Sequence, residues 1–154
     1  MLPEDPDRTG SRPGPVACAA GCSRPAERGL LCAACHGRLA RALRQLPDTI
    51  LDRHAGCARR AYDVYDALAG WVRDALEVYP PPTARPPRLD AVVGPSAHGP
   101  LTPRHRPLGV PDDAHGLADA ARALCGWLDR HLPWVESQPW AARMAAELGS
   151  LVEP

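Results

Sequence analysis

The sequence contains no Lys, no Asn and no Phe, a single Ile at position 50, and aromatics at only 5% of its 154 residues. The β-branched and aromatic residues that favour strands are thus scarce, while Ala and Leu, which favour helices, dominate the apolar content; an all-β fold is disfavoured. All 18 basic residues are Arg, a bias that reflects GC-rich coding and carries no mechanistic weight. Long apolar runs are also missing: none approaches the roughly 18 to 20 residues needed to cross a bilayer. The opening "MLPEDPDRTGSRPGPV" has no apolar segment and does not read as a secretory signal. A cytoplasmic location with reduced thiols follows, in which clustered Cys reads as metal-binding before it reads as disulfide.

Catalytic constellations are equally absent. His54, His98, His105, His115 and His131 are scattered, with no His-Glu-x-x-His helix and no Gly-rich phosphate loop. Ser96 in "GPSAHGP" lies in a Pro-rich stretch without the strand and helix that frame a nucleophile turn. The expectation is a protein that is not an enzyme and has no small-molecule substrate.

What the sequence does have is "CAAGCSRPAERGLLCAACHGRL", in which Cys18-x3-Cys22 is followed, after nine intervening residues, by Cys32-x2-Cys35. Each close pair can present two thiolates from one tight turn, and two such turns complete the tetrahedron Zn²⁺ takes in structural sites. Gly21 and Gly29 supply the backbone freedom such turns demand. The last ligand falls at the start of a helix, as in treble-clef-like or zinc-ribbon-like fingers. His36 adjoins Cys35, but four thiolates already fill the shell. A closed four-thiolate shell leaves no position for water or substrate, so the Zn²⁺ is expected to be structural. Two disulfides are the alternative. Cys57 and Cys125 stand apart among apolar neighbours and read as core residues.

Along the chain, residues 1–16 have the Pro-rich composition of a disordered leader, and the finger occupies 17–40. A helical region over 41–79 follows. The stripe Leu39, Leu43, Leu46 and Ile50 is interrupted by Pro47, which suggests two short helices with Asp48 as the new N-cap. Tyr62, Tyr65, Leu68, Val72 and Leu76 mark a longer helix with Trp71 beside the stripe, ended by "YPPPTARPP". Residues 80–111 read as a Pro-rich linker or long loop. Asp112 or Asp113 then caps a helix carrying Leu117, Ala121, Leu124, Leu128 and Leu132, and a last helix runs from about Trp140 to Leu151. The two helical regions, 41–79 and 112–154, are each too small to fold alone and should pack together. The fold class expected is mainly α: a small helical bundle with an N-terminal four-cysteine zinc knuckle.

Charge is uneven despite a formal net charge of zero: residues 17–60 hold eight Arg against three acids, and 112–154 hold three Arg against seven acids. Arg38, Arg41 and Arg44 recur at i, i+3 and i+6, and with Arg24 and Arg28 they could lie against phosphates. The competing reading is the solvated face of an amphipathic helix in a chain without Lys. Neutrality of the whole chain also weighs against strong non-specific DNA binding, which depends on counterion release.

The order of "CAAGCSRPAERGLLCAACHGRLARALRQLP", "LAGWVRD" and "LCGWLDRHLPWVESQPWAARMAAELGSLV" resembles uncharacterised four-cysteine zinc-finger and helical proteins of actinobacteria and their phages. The likeness spans residues 17–79 and 112–152 in pieces. Cys18, Cys22, Cys32 and Cys35 match the finger, and Trp127, Arg130, His131 and Trp134 match a W-L-x-R-H-x-x-W helix. Longer members of that group look like DNA-binding proteins, with a second zinc ribbon and a helix-turn-helix. This sequence stops at Pro154, where those would begin, so that role is not carried over. The resemblance and the residues together suggest an accessory or regulatory protein that contacts a protein partner in transcription or phage–host interaction. Direct nucleic-acid binding through the Arg-rich finger end is the second expectation, and no membrane is involved.

Overall fold

A computed structural model describes residues 14–78 and 111–154. Among them are five helices: α1 (Ala33–Gly56), α2 (Ala58–Val78), α3 (Ala114–Arg130), α4 (Leu132–Glu136) and α5 (Ala141–Val152). The mainly helical architecture expected from the Ala- and Leu-rich stripes is the one observed. The expected leader lies outside the described residues except for its last three positions, and the Pro-rich segment 80–111 lies outside them except for Pro111.

α1 is the hub. It packs against α2, α3 and α5, while α2 also lies on α3 and the short α4 bridges α3 to α5. The apolar stripes meet in one core: Leu39, Leu46 and Ile50 of α1, Tyr65, Leu68 and Val72 of α2, Leu117, Ala121 and Leu128 of α3, and Met144 and Leu148 of α5 are fully buried. Burying such side chains is worth about 1.5–3 kcal/mol each, which is what holds helices of this length together in water.

Pro47 does not divide α1. The helix runs through it for 24 residues, and Asp48 stays exposed on its surface instead of capping a new helix. Proline inside a helix costs about 3 kcal/mol. Here its ring is buried between Leu46 and Ile50, both sealed in the core, and that burial offsets the lost hydrogen bond. The true break comes at Cys57, whose extended backbone separates α1 from α2. Its N–H donates to the Arg53 carbonyl (2.7 Å) and its carbonyl accepts from the Arg60 N–H (3.0 Å), so one residue serves both helix ends. That task turns the thiol outward: Cys57 is exposed, against the expectation of a core residue, whereas Cys125 is buried.

Asp113 is the N-cap of α3, its carboxylate accepting from the Gly116 N–H at 2.7 Å. The Tyr62 hydroxyl donates to the Pro111 carbonyl (3.0 Å) and ties this start to α2. At the other end of the bundle Arg53 of α1 donates to the Leu151 carbonyl (2.9 Å), placing a cation at the C-terminus of α5, where the helix dipole favours it.

Candidate metal centre

The finger is built from two turns and a helix start. Ala17 and Pro25 form an isolated antiparallel bridge, and the Cys18 N–H donates to the Arg24 carbonyl at 2.9 Å, folding the first turn around Gly21. Gly21 and Ser23 both take left-handed backbone angles, φ 70° and 59°. A second bridge joins Arg28 to Leu31 across Gly29, which has φ 57°. Cys32 is then the N-cap of α1, and Cys35 lies in its first turn.

These turns bring all four sulfur atoms within 4.8 Å of one another. Cys22 Sγ lies 3.3 Å from Cys32 Sγ and 3.7 Å from Cys35 Sγ. A disulfide needs about 2.05 Å, and all the cysteines are free thiols. A tetrahedral ion with metal–sulfur bonds of about 2.3 Å requires sulfur–sulfur edges of about 3.8 Å, close to what the cluster presents. Cys18, Cys32 and Cys35 are buried and Cys22 partly so. Among the described residues this is the group of His, Cys, Asp and Glu side chains placed to hold a metal ion.

The electrostatics of the cluster call for a cation. Burial is the largest influence on Cys18 and opposes its ionisation, but the Cys32 N–H, which donates to its sulfur at 3.3 Å, together with the Ala20 amide and the Cys22 and Cys35 thiols, outweighs that cost and leaves the thiol below its ordinary value. The Cys35 amide above all, with the neighbouring Cys22, Cys35 and Cys18 thiols, brings Cys32 down to about 6. Cys35 is pushed up to about 12 by burial, with the neighbouring sulfurs adding to the cost. Without a positive ion the cluster therefore cannot ionise fully; a divalent cation removes that obstacle and takes all four as thiolates.

The finger is seated on the bundle by Glu136, which sequence reasoning counted only as one acid of the C-terminal half. Its side chain is 3% exposed. Its carboxylate pairs with His36 Nδ1, and its main-chain carbonyl accepts from the Leu30 N–H at 2.7 Å. Gly29 passes so close to that carbonyl that any Cβ would collide with it. Leu31, at 0% exposure, plugs the finger into the common core. The hint for Glu136 was its place two residues after Trp134 in a short apolar helix, but nothing in the sequence paired it with His36, 100 residues away.

The five candidate contact arginines do not behave alike. Arg24, Arg28, Arg38, Arg41 and Arg44 are all exposed. Arg38 nevertheless donates to Cys35 Sγ at 3.1 Å. Arg44 stands at the rim of a groove between α1 and α3, floored by Leu43, Pro47 and Cys125 and shared with Asp48, Arg122 and Asp129. Its charge thus shares the groove with two carboxylates and a second guanidinium. Of the resemblance residues, Trp127 and Arg130 lie in α3, Trp134 lies in α4 and His131 joins the two helices: His131 rests on the Trp127 ring (centroids 4.6 Å apart) and its Nδ1 approaches the Trp127 carbonyl at 2.7 Å, while Trp134 meets Trp140 edge-on at 6.0 Å. Trp140 also packs on Trp71, over which Arg143 lies at 5.0 Å. Ser96, His98 and His105 lie outside the described residues.

No helix among the described residues is long and apolar enough to cross a membrane. The chain matches no family model, no curated protein and no solved structure.

Proposed function

We propose that Cys18, Cys22, Cys32 and Cys35 hold one Zn²⁺ as a structural ion, and that the protein is a non-catalytic cytoplasmic accessory or regulatory protein that works by contacting another protein. The observation that carries the first part is the convergence of four sulfurs within 4.8 Å at the seam between finger and bundle. Four thiolates leave a tetrahedral ion no open position, which suits a structural role. All-thiolate tetrahedral sites select Zn²⁺ or iron, and metal analysis of the purified chain tests the choice. One zinc per chain is expected; a folded chain with no metal, or with iron, would overturn it.

The partner-binding part rests on the bundle's fixed helical surface and on the likeness to the actinobacterial and phage proteins, with transcription or phage–host interaction as its setting. Affinity capture from the native host tests it through reproducible, stoichiometric recovery of one protein. Direct nucleic-acid binding is the second reading, supported by the exposure of Arg24, Arg28 and Arg41 around the finger. It calls for a mobility shift that weakens steeply with salt and disappears when these arginines are neutralised; no shift at low salt would end it.

A further inference from the structure

Four thiolates around a divalent ion carry a net charge of about −2, and three of the four cysteines here are buried residues. Such a charge must be offset by donors around the shell, because an uncompensated buried charge is costly. Besides the Cys35 amide that acts on Cys32, two donors to sulfur matter here. The Cys32 amide donates to Cys18 Sγ, and the guanidinium of Arg38 donates to Cys35 Sγ at 3.1 Å. The second is set by helix geometry: Cys35 and Arg38 are three residues apart in α1, so their side chains lie on one face of the first turns. Arg41 and Arg44, one and two steps further along the same helix, show no such approach to sulfur.

We propose that Arg38 is a positioning residue of the metal centre, fixing the Cys35 thiolate and offsetting the charge of the shell, and is not part of a phosphate-binding ridge. This deepens, and rests on, the assignment of the four cysteines as a metal site. An N–H donated to a thiolate withdraws electron density from sulfur, so the bound sulfur is a poorer target for protons and electrophiles and the ion is held longer. Arg suits the role because its charge is permanent and its fork can reach sulfur while the rest of the group stays hydrated.

The test uses the full chain loaded with Zn²⁺ or Co²⁺, comparing Arg38→Met and Arg38→Lys with Arg41→Met and Arg44→Met. Competition with a chelator is expected to show Zn²⁺ affinity lowered about 10- to 100-fold in Arg38→Met, lowered less in Arg38→Lys, and unchanged in the other two. In the Co²⁺ form the sulfur-to-metal charge-transfer band should move to lower energy in Arg38→Met alone, because a sulfur freed of its donor gives up an electron more readily. A merely structural residue would not shift that band. Wild-type affinity together with an unshifted band in Arg38→Met overturns the proposal. Should that variant fail to fold, wild-type affinity with an unshifted band in Arg38→Ala, which also lacks charge and donor, overturns it instead. Wild-type protein that binds neither ion defeats the metal assignment itself and this proposal with it, whereas loss confined to the Arg38 variants supports both.

Discussion

At the scale of single residues the cysteines divide into three classes, and alkylation should separate them. Cys57 is exposed at the α1–α2 joint, and Cys125 is buried with its thiol pushed up to about 12 by that burial. The remaining four share the metal cluster. A thiol reagent applied to the metal-loaded native protein is expected to modify Cys57 alone, as read by mass spectrometry. Adding a chelator should expose the four finger thiols, and Cys125 should react only on unfolding. Gly29 supplies a second residue-scale prediction. Alanine there must adopt φ 57° and push against the Glu136 carbonyl, so Gly29→Ala should destabilise the protein by about 2 kcal/mol or more in denaturant titration. The cysteine cluster was legible from spacing alone because both turns are local. Cys57 was misread because its apolar neighbours suggested burial, while the backbone break that turns it outward depends on where α1 ends.

At the scale of elements the outcome turned on the balance between local propensity and burial. The N-cap of α3 was legible in "PDDAHGL", and Asp113 takes that role. Its carboxyl is held below the ordinary value of 3.8 by the Gly116 amide. The stabilisation from this cap is therefore fully present above the ordinary carboxylate pKa and is lost as pH falls through the lower folded value. Asp113→Ala should lower the melting temperature at pH 6, and the difference from wild type should shrink as acid protonates the carboxyl. Pro47 went the other way: local rules end a helix there, yet α1 continues because the flanking Leu46 and Ile50 are sealed in the core. Truncating that stripe should be costly. Leu39→Ala, at a fully buried site next to the finger, is expected to cost about 2–5 kcal/mol.

For the molecule as a whole, the finger and the bundle are one object. Leu31 enters the common core, and Glu136 receives both the Leu30 amide and His36, so the far end of the chain braces the four sulfurs. No periodicity or spacing could reveal this, because it joins residues about a hundred positions apart through a buried carboxylate on a five-residue helix. On the proposed assignment of the four cysteines, a metal ion organises this seam. Metal analysis joined to amide hydrogen exchange, before and after a strong chelator, tests it most directly. One zinc per chain is predicted, with the Cys18, Leu30 and Leu31 amides slow to exchange while metal is bound and fast once it is removed. A chain that purifies without metal, or whose finger amides stay protected after the metal is stripped, would contradict the account.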